Sequence, residues 1–214
     1  MTRRLLVLNG SIRGREGNTA ELLDIAVRRA PPGTEAHTVE LATYGGTVEA
    51  LADELRAARG FLVGTGVYWG SWGSPLQRFL EVMTAFESSE LFVGKPVGVA
   101  VTMDSVGGFD VAERLLGVFS TLGCFVPPLT MIVVSRLATE LGGVAGHEDV
   151  WQAEDADTLI HNLALAMDAA AVPWRSWPIE RARTVAGPYP AAGLLHLGAP
   201  NFLRRFAGTR GRYS

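Results

Sequence analysis

Cysteine is almost missing from this chain of 214 residues: Cys124 stands alone. A single thiol closes no intramolecular bridge and builds no cysteine-based metal centre, so stability has to come from the core, and a reducing compartment is expected. Long apolar runs are missing as well. The start, Met-Thr-Arg-Arg and then Leu5 to Leu8, is far shorter than the core of a signal peptide, and no segment approaches the ~20 apolar residues of a membrane helix. A soluble, cytoplasmic protein without a membrane partner is expected. The chain also lacks a basic excess, with a net charge of −3 and a pI near 5.8, which argues against a nucleic-acid partner.

Several sites of chemistry are absent too. The four histidines (37, 147, 161 and 196) show no metal-ligand spacing. His147-Glu148-Asp149 follows Gly142-Gly143 and reads as a solvated loop. No Gly-x-Ser-x-Gly elbow occurs, and Ser71 and Ser74 have no base nearby. Neither a Rossmann fingerprint nor a Gly-Lys-Ser/Thr phosphate loop is present.

Apolar side chain, by contrast, is plentiful, at 48% of residues with a mean hydropathy of +0.19. It is arranged as short β-rich runs alternating with helical periods, the signature of a parallel sheet with helices on both faces. Strands are predicted at Leu5 to Leu8, Glu35 to Leu41, Phe61 to Gly64, Pro96 to Thr102 and Leu129 to Val134. The second is the most polar and is expected at a sheet edge. Helices are predicted from Asn18 or Thr19, as cap, to about Ala30, then over Val48 to Arg59, from Pro75 through Met83, over Val111 to Leu122, and over Ala156 to Ala171. Five strands so connected predict a flavodoxin-type, doubly wound sheet of order 2-1-3-4-5.

Residues 1–171 form this expected domain, and residues 172–214 are an extension rich in proline, arginine and aromatics. The extension carries seven arginines against Glu180, a net +6, which leaves −9 on residues 1–171. Its large apolar side chains, Trp174, Trp177 and Tyr189 among them, are too many for a free tail. It is expected to pack on the domain or on a neighbouring subunit of a homo-oligomer, a dimer or tetramer.

Three glycine-bearing segments fall at carboxyl ends of strands, where doubly wound sheets bind ligands. The first runs from Asn9 to Thr19. A helix N-terminus there offers free N–H groups and a positive dipole end, Ser11, Asn18 and Thr19 offer side-chain donors, and Arg13 or Arg15 offers a full charge. An ordinary strand-to-helix turn has the same ingredients, so the loop alone favours phosphate binding only moderately. The second runs from Gly64 to Ser74, with Tyr68, Trp69 and Trp72. Glycines and planar side chains suit a flat ligand, although aromatics more often cover a core or an interface. The third, Thr102 to Gly108, gains weight only from its place.

Gly10-Ser11-Ile12-Arg13 with Asn18-Thr19, followed by Val67-Tyr68-Trp69-Gly70-Ser71 with Leu76, Phe79 and Glu81, resembles the NADPH-dependent FMN reductases of the flavodoxin-like superfamily. The resemblance covers about residues 3–171. Gly66 stands where that family usually has proline, and Gln77 where it usually has lysine. The resemblance implies FMN as cofactor and NAD(P)H as co-substrate. It implies that Ser11, Arg13, Asn18 and Thr19 take the FMN phosphate. It also implies that Gly66, Val67, Tyr68, Trp69 and Gly70, with Thr102, Gly107 and Gly108, border the flavin ring. No catalytic side chain is expected, because the flavin carries the chemistry. The expected activity is electron transfer to a small acceptor: flavin, quinone, nitro or azo compound. The acidity of residues 1–171 keeps open a flavodoxin-type carrier without turnover of its own, and fold alone leaves room for a scaffold that has lost FMN.

Overall fold

A computed structural model describes residues 2–141, 151–169, 172–177 and 186–190. Five parallel strands lie in the order β2-β1-β3-β4-β5, the order expected from the sequence. They are β1 (Arg3–Asn9), β2 (Thr34–Glu40), β3 (Gly60–Gly66), β4 (Val97–Met103) and β5 (Met131–Ser135). The helices are α1 (Asn18–Arg28), α2 (Val48–Ala57), α3 (Ser74–Met83), α4 (Gly108–Leu122), α5 (Arg136–Leu141) and α6 (Ala156–Asp168).

The continuous apolar run in β1 sends alternate side chains to opposite faces. Leu5 and Val7 join Leu22, Leu23, Leu62, Leu159 and Leu163 beneath α1 and α6. Leu6 and Leu8 join Phe61, Phe79, Val99, Leu115 and Phe119 beneath α2, α3 and α4. β2 lies at the sheet edge, where three of its seven residues are exposed. Gly64 in β3 is a packing requirement, since a Cβ there would lie 2.6 Å from Leu23 Cδ1 and push α1 off the sheet.

Element ends differ from the expected ones by up to three residues, and the starts of α1 and α4 and the presence of α5 have visible causes. The N-cap of α1 is Gly17 in extended conformation, with neither Asn18 nor Thr19 capping the helix. Thr19 is instead buried in the first turn, where its hydroxyl pairs with that of Thr102 at 2.8 Å. Helix α4 starts at Gly108 rather than Val111, because Gly107 adopts φ +87° and turns the chain directly into it. Helix α5 was not anticipated; its six residues are too few to show a helical period.

Two pieces of the extension lie against the domain. Trp174 stacks on Phe125 with ring centroids 6.5 Å apart. Tyr189 is buried, edge-on to Tyr44 at 5.3 Å. Around it the Gly187 carbonyl accepts the Val48 N–H at 2.9 Å, and the Gly46 carbonyl accepts the Tyr189 N–H at 3.0 Å. Among the described residues no helix is long and apolar enough to cross a membrane.

Candidate functional site

All five parallel strands end on one side, and there β1, β3, β4 and β5 deliver residues to an open crevice of about 410 Å³. That volume lies in the range of small-molecule and cofactor sites.

The β1 loop is fixed from behind. Asn9, fully buried at the end of β1, accepts the Ser11 N–H through Oδ1 at 3.1 Å and donates through Nδ2 to Glu40 Oε2 at 2.8 Å. The parallel register places Glu40 opposite Asn9. Burial holds the Glu40 carboxyl above its ordinary range; the Asn9 hydrogen bond and the Arg15 charge pull it back, and Asp24 adds to the rise. Gly10 then passes over α3 so closely that a Cβ would lie 2.5 Å from Leu76 Cβ. The buried Ser11 Oγ accepts the Arg13 N–H at 3.3 Å, and a short turn over Gly14–Glu16 leads into α1.

With no side chain capping α1, its first N–H groups and positive dipole end face the crevice lined by Gly17, Asn18 and Thr19. Arg13 lines the same end, and no described carboxylate is paired with its guanidinium. Free N–H groups, a positive dipole end and a guanidinium together are chemically suited to an anion.

The β3 loop is locked by its own hydrogen bonds. Buried Thr65 accepts the Gly73 N–H at 2.9 Å, and Tyr68 and Ser71 exchange backbone hydrogen bonds of 2.8 and 3.0 Å across a two-residue turn. Gly66, Val67 and Tyr68 line the crevice. Thr102, Met103 and Asp104 at the end of β4 line its opposite wall, with Arg136 from just beyond β5. Arg136 donates to Asp104 Oδ1 at 3.0 Å and to Glu140 Oε1 at 2.9 Å, contacts that hold its guanidinium charged. An apolar cavity of about 310 Å³ adjoins the crevice, sharing Asn18, Thr102, Met103 and Arg136 with it.

Of the residues expected from the sequence, Ser11, Arg13, Asn18, Thr19, Gly66, Val67, Tyr68 and Thr102 come together in the crevice lining. Trp69 and Gly70 stand outside the lining, at the tip of the Tyr68–Ser71 turn. Gly107 and Gly108 also stand outside it and start α4; the Gly108 N–H lies 3.2 Å from Met103 Sδ. Gly17, Met103 and Asp104, which belong to the first and third glycine-bearing segments, line the crevice as well; Arg136 lies in none of the three segments, and Asn9 and Glu40 support the crevice from behind. Arg136 carries no local signal, since only the β4–β5 pairing brings it beside Asp104. His147-Glu148-Asp149 lies outside the described residues. Among the described residues no three His, Cys, Asp or Glu side chains form a metal-holding group.

Comparison with known proteins agrees with this architecture. Among solved structures, RosB with the bound intermediate 8-demethyl-8-formylriboflavin-5′-phosphate superposes with a TM-score of 0.64 at 16% identity, covering 78% of this chain and 79% of that one. The apo form of the NADH:FMN oxidoreductase EMOB gives 0.63 at 19% identity, covering 80% and 92%. A flavodoxin from the domain Archaea gives 0.54 at 14% identity, covering 78% and 99%. At these identities the likeness establishes a flavodoxin-like fold. A search of curated protein sequences finds no match. The family model described as NADPH-dependent FMN reductase matches residues 3–137, more than half of the chain. The chain therefore belongs to the NADPH-dependent FMN reductase family.

Proposed function

We propose that the chain is an FMN-dependent oxidoreductase that takes reducing equivalents from NAD(P)H and passes them to a small acceptor such as a flavin, quinone, nitro or azo compound. The observation that carries this reading is the crevice itself: a helix N-terminus without a side-chain cap and an arginine that meets no carboxylate among the described residues at one end, and a hydrogen-bonded glycine–tyrosine loop along its side. When bound, FMN supplies the hydride-accepting and electron-donating chemistry.

The residues of the chain bind and orient. Arg13 and the first turn of α1 hold the phosphate, with the Ser11 and Asn18 side chains as further donors. The Thr19 hydroxyl, shared with Thr102, ties the phosphate end to the β4 wall. Because Arg136 is already engaged by Asp104 and Glu140, the phosphate charge falls to Arg13 and the helix. The backbone of Gly66 to Tyr68 and of Thr102 to Asp104 borders the ring, with Gly107 and Gly108 setting the course of the β4 loop. No side chain is asked to act as acid, base or nucleophile. A homo-oligomer of two or four chains belongs to the same reading, supported by the opposite charges of residues 1–171 and 172–214. So does a cytoplasmic setting, which a lone buried thiol suits.

The test is anaerobic mixing of the FMN-loaded protein with NADPH or NADH. Rapid bleaching of the bound flavin is expected. Bleaching by dithionite alone, with neither nucleotide effective, would replace this reading with the electron carrier that the net −9 of residues 1–171 favours.

A further inference from the structure

Trp69 occupies a position that works against its own side chain. Tyr68 and Ser71 close a two-residue turn in which Trp69 and Gly70 both have positive φ, +51° and +73°. Turns of this kind select Asn, Asp or Gly at the first central position, because a Cβ there crowds the backbone. Here a tryptophan holds it, and the indole is fully exposed, without a ring or cation contact among the described residues. The backbone strain is therefore not repaid within the described chain, and strain of this kind at the mouth of a cleft points to use.

The turn is held rigidly enough to present that ring. The Arg114 guanidinium of α4 donates to the Gly70 carbonyl and lies 5.2 Å from the centre of the Trp72 ring. Trp72 Nε1 donates to Gln77 at 2.8 Å. The next residue back, Tyr68, lines the cofactor crevice. An indole carried on a fixed turn beside a crevice supplies a flat apolar face with only two side-chain torsions left to order.

We propose that Trp69 is a stacking platform for the aromatic ring of the electron acceptor, and so a determinant of preference for planar acceptors. The surroundings favour a small ring over a protein face. Helix α4, whose Arg114 pins the turn, exposes three charged residues, Asp110, Glu113 and Arg114, against one half-exposed Phe109, whereas the centre of a protein interface is depleted of charge. The face of one indole matches the area of one bicyclic ring.

The acceptor role rests on the reductase reading, and the experiment separates the two. Menadione is titrated into the FMN-loaded protein, followed by calorimetry and by tryptophan fluorescence, with W69G and W69F alongside. Glycine suits the positive φ, so W69G removes the ring while relieving the backbone. W69G is expected to weaken menadione binding about tenfold and W69F about threefold or less, in keeping with one lost aromatic stack. The KM for menadione relative to that for ferricyanide, which has no ring to stack, rises by a similar factor in W69G. Equal menadione affinity in W69G and the parent protein overturns the proposal. So does a comparable loss of FMN affinity, or a change of oligomeric state in W69G, since the indole would then cover the cofactor or a second subunit. Tight menadione binding that depends on Trp69, in a protein that neither nucleotide reduces, upholds the platform and removes the reductase reading.

Discussion

Asn9 is the residue on which the order of the β1–α1 loop depends, and its replacement by alanine puts a magnitude on that dependence. Two hydrogen bonds are lost at a fully buried position, one from the Ser11 N–H at 3.1 Å and one to the Glu40 carboxylate at 2.8 Å. A buried N–H without an acceptor costs about 1 to 3 kcal/mol, and a hydrogen bond to a charged group contributes about 1.5 to 3 kcal/mol. The sum is an upper bound, because Glu40 retains Arg15 at 3.7 Å and can take up a proton. Asn9→Ala is therefore expected to cost ~2 to 4 kcal/mol in urea unfolding of the apoprotein followed by tryptophan fluorescence. FMN affinity, read from flavin fluorescence, should fall with it, since the Ser11 N–H no longer has a fixed direction. Asn9→Asp is a sharper probe. It keeps the acceptor for Ser11 but sets two carboxylates face to face, so its stability should recover steeply as acid protonates one of them. A loss below ~1 kcal/mol for Asn9→Ala with FMN affinity unchanged would refute the reasoning, because the loop would then be holding its own shape.

Removing the unpaired cation by Arg13→Ala should weaken FMN binding by about 1.5 to 3 kcal/mol, the worth of a charge-assisted hydrogen bond; unchanged affinity in a flavin-fluorescence titration would take Arg13 out of the site. Burial raises the folded-state pKa of Glu40, so the stability linked to it is present below the unfolded pKa and is lost as pH rises through the folded one. Glu40→Gln keeps an acceptor for Asn9 and has no such proton, so its melting temperature should gain on that of the parent as pH rises above the ordinary glutamate value of 4.5; a constant gap would argue against it. The Tyr189 hydroxyl is buried with no hydrogen-bond partner among the described residues, and burial pushes its pKa up to about 12. Tyr189→Phe should accordingly be neutral or stabilising by up to ~1 kcal/mol in urea melts, whereas Tyr189→Ala should cost ~3 to 5 kcal/mol.

Much of the fold was legible because the information was local. The uninterrupted run in β1, the polarity of β2 and the proline at the start of α3 each follow from a handful of adjacent residues. One end of the candidate site was legible for the same reason: Ser11, Arg13, Asn18 and Thr19 lie within one strand–loop–helix passage and all line the crevice. What escaped notice is what pairing brings together. Asn9 and Glu40 are 31 residues apart and meet through the β1–β2 register, Thr19 and Thr102 meet across 83 residues, and Arg136 reaches Asp104 only because β5 lies beside β4. The N-cap of α1 shows a related failure. Asn18 and Thr19 are good caps in isolation, but Thr19 is drawn into the buried contact with Thr102, and the helix begins on Gly17 without a side-chain cap.

The absent cap and the engaged Arg136 together give the crevice a direction. Arg13 and Arg136 follow β1 and β5, which are three strand spacings apart in the sheet, roughly 14 Å at the usual ~4.8 Å per spacing. At the β1 end, the Arg13 guanidinium, with no carboxylate partner among the described residues, and the positive end of α1 add to each other. At the β5 end, Asp104 and Glu140 surround the guanidinium with two carboxylates, leaving a net charge of −1 over the three groups. An anion entering the crevice is attracted at one end and repelled at the other. Under the proposed function, a ligand with a charged phosphate and a neutral planar body would thereby be oriented before any contact with its ring, its phosphate toward Arg13 and its body along Gly66 to Tyr68 and the β4 wall. That orientation brings the body toward the Tyr68–Ser71 turn, which carries Trp69 at its tip.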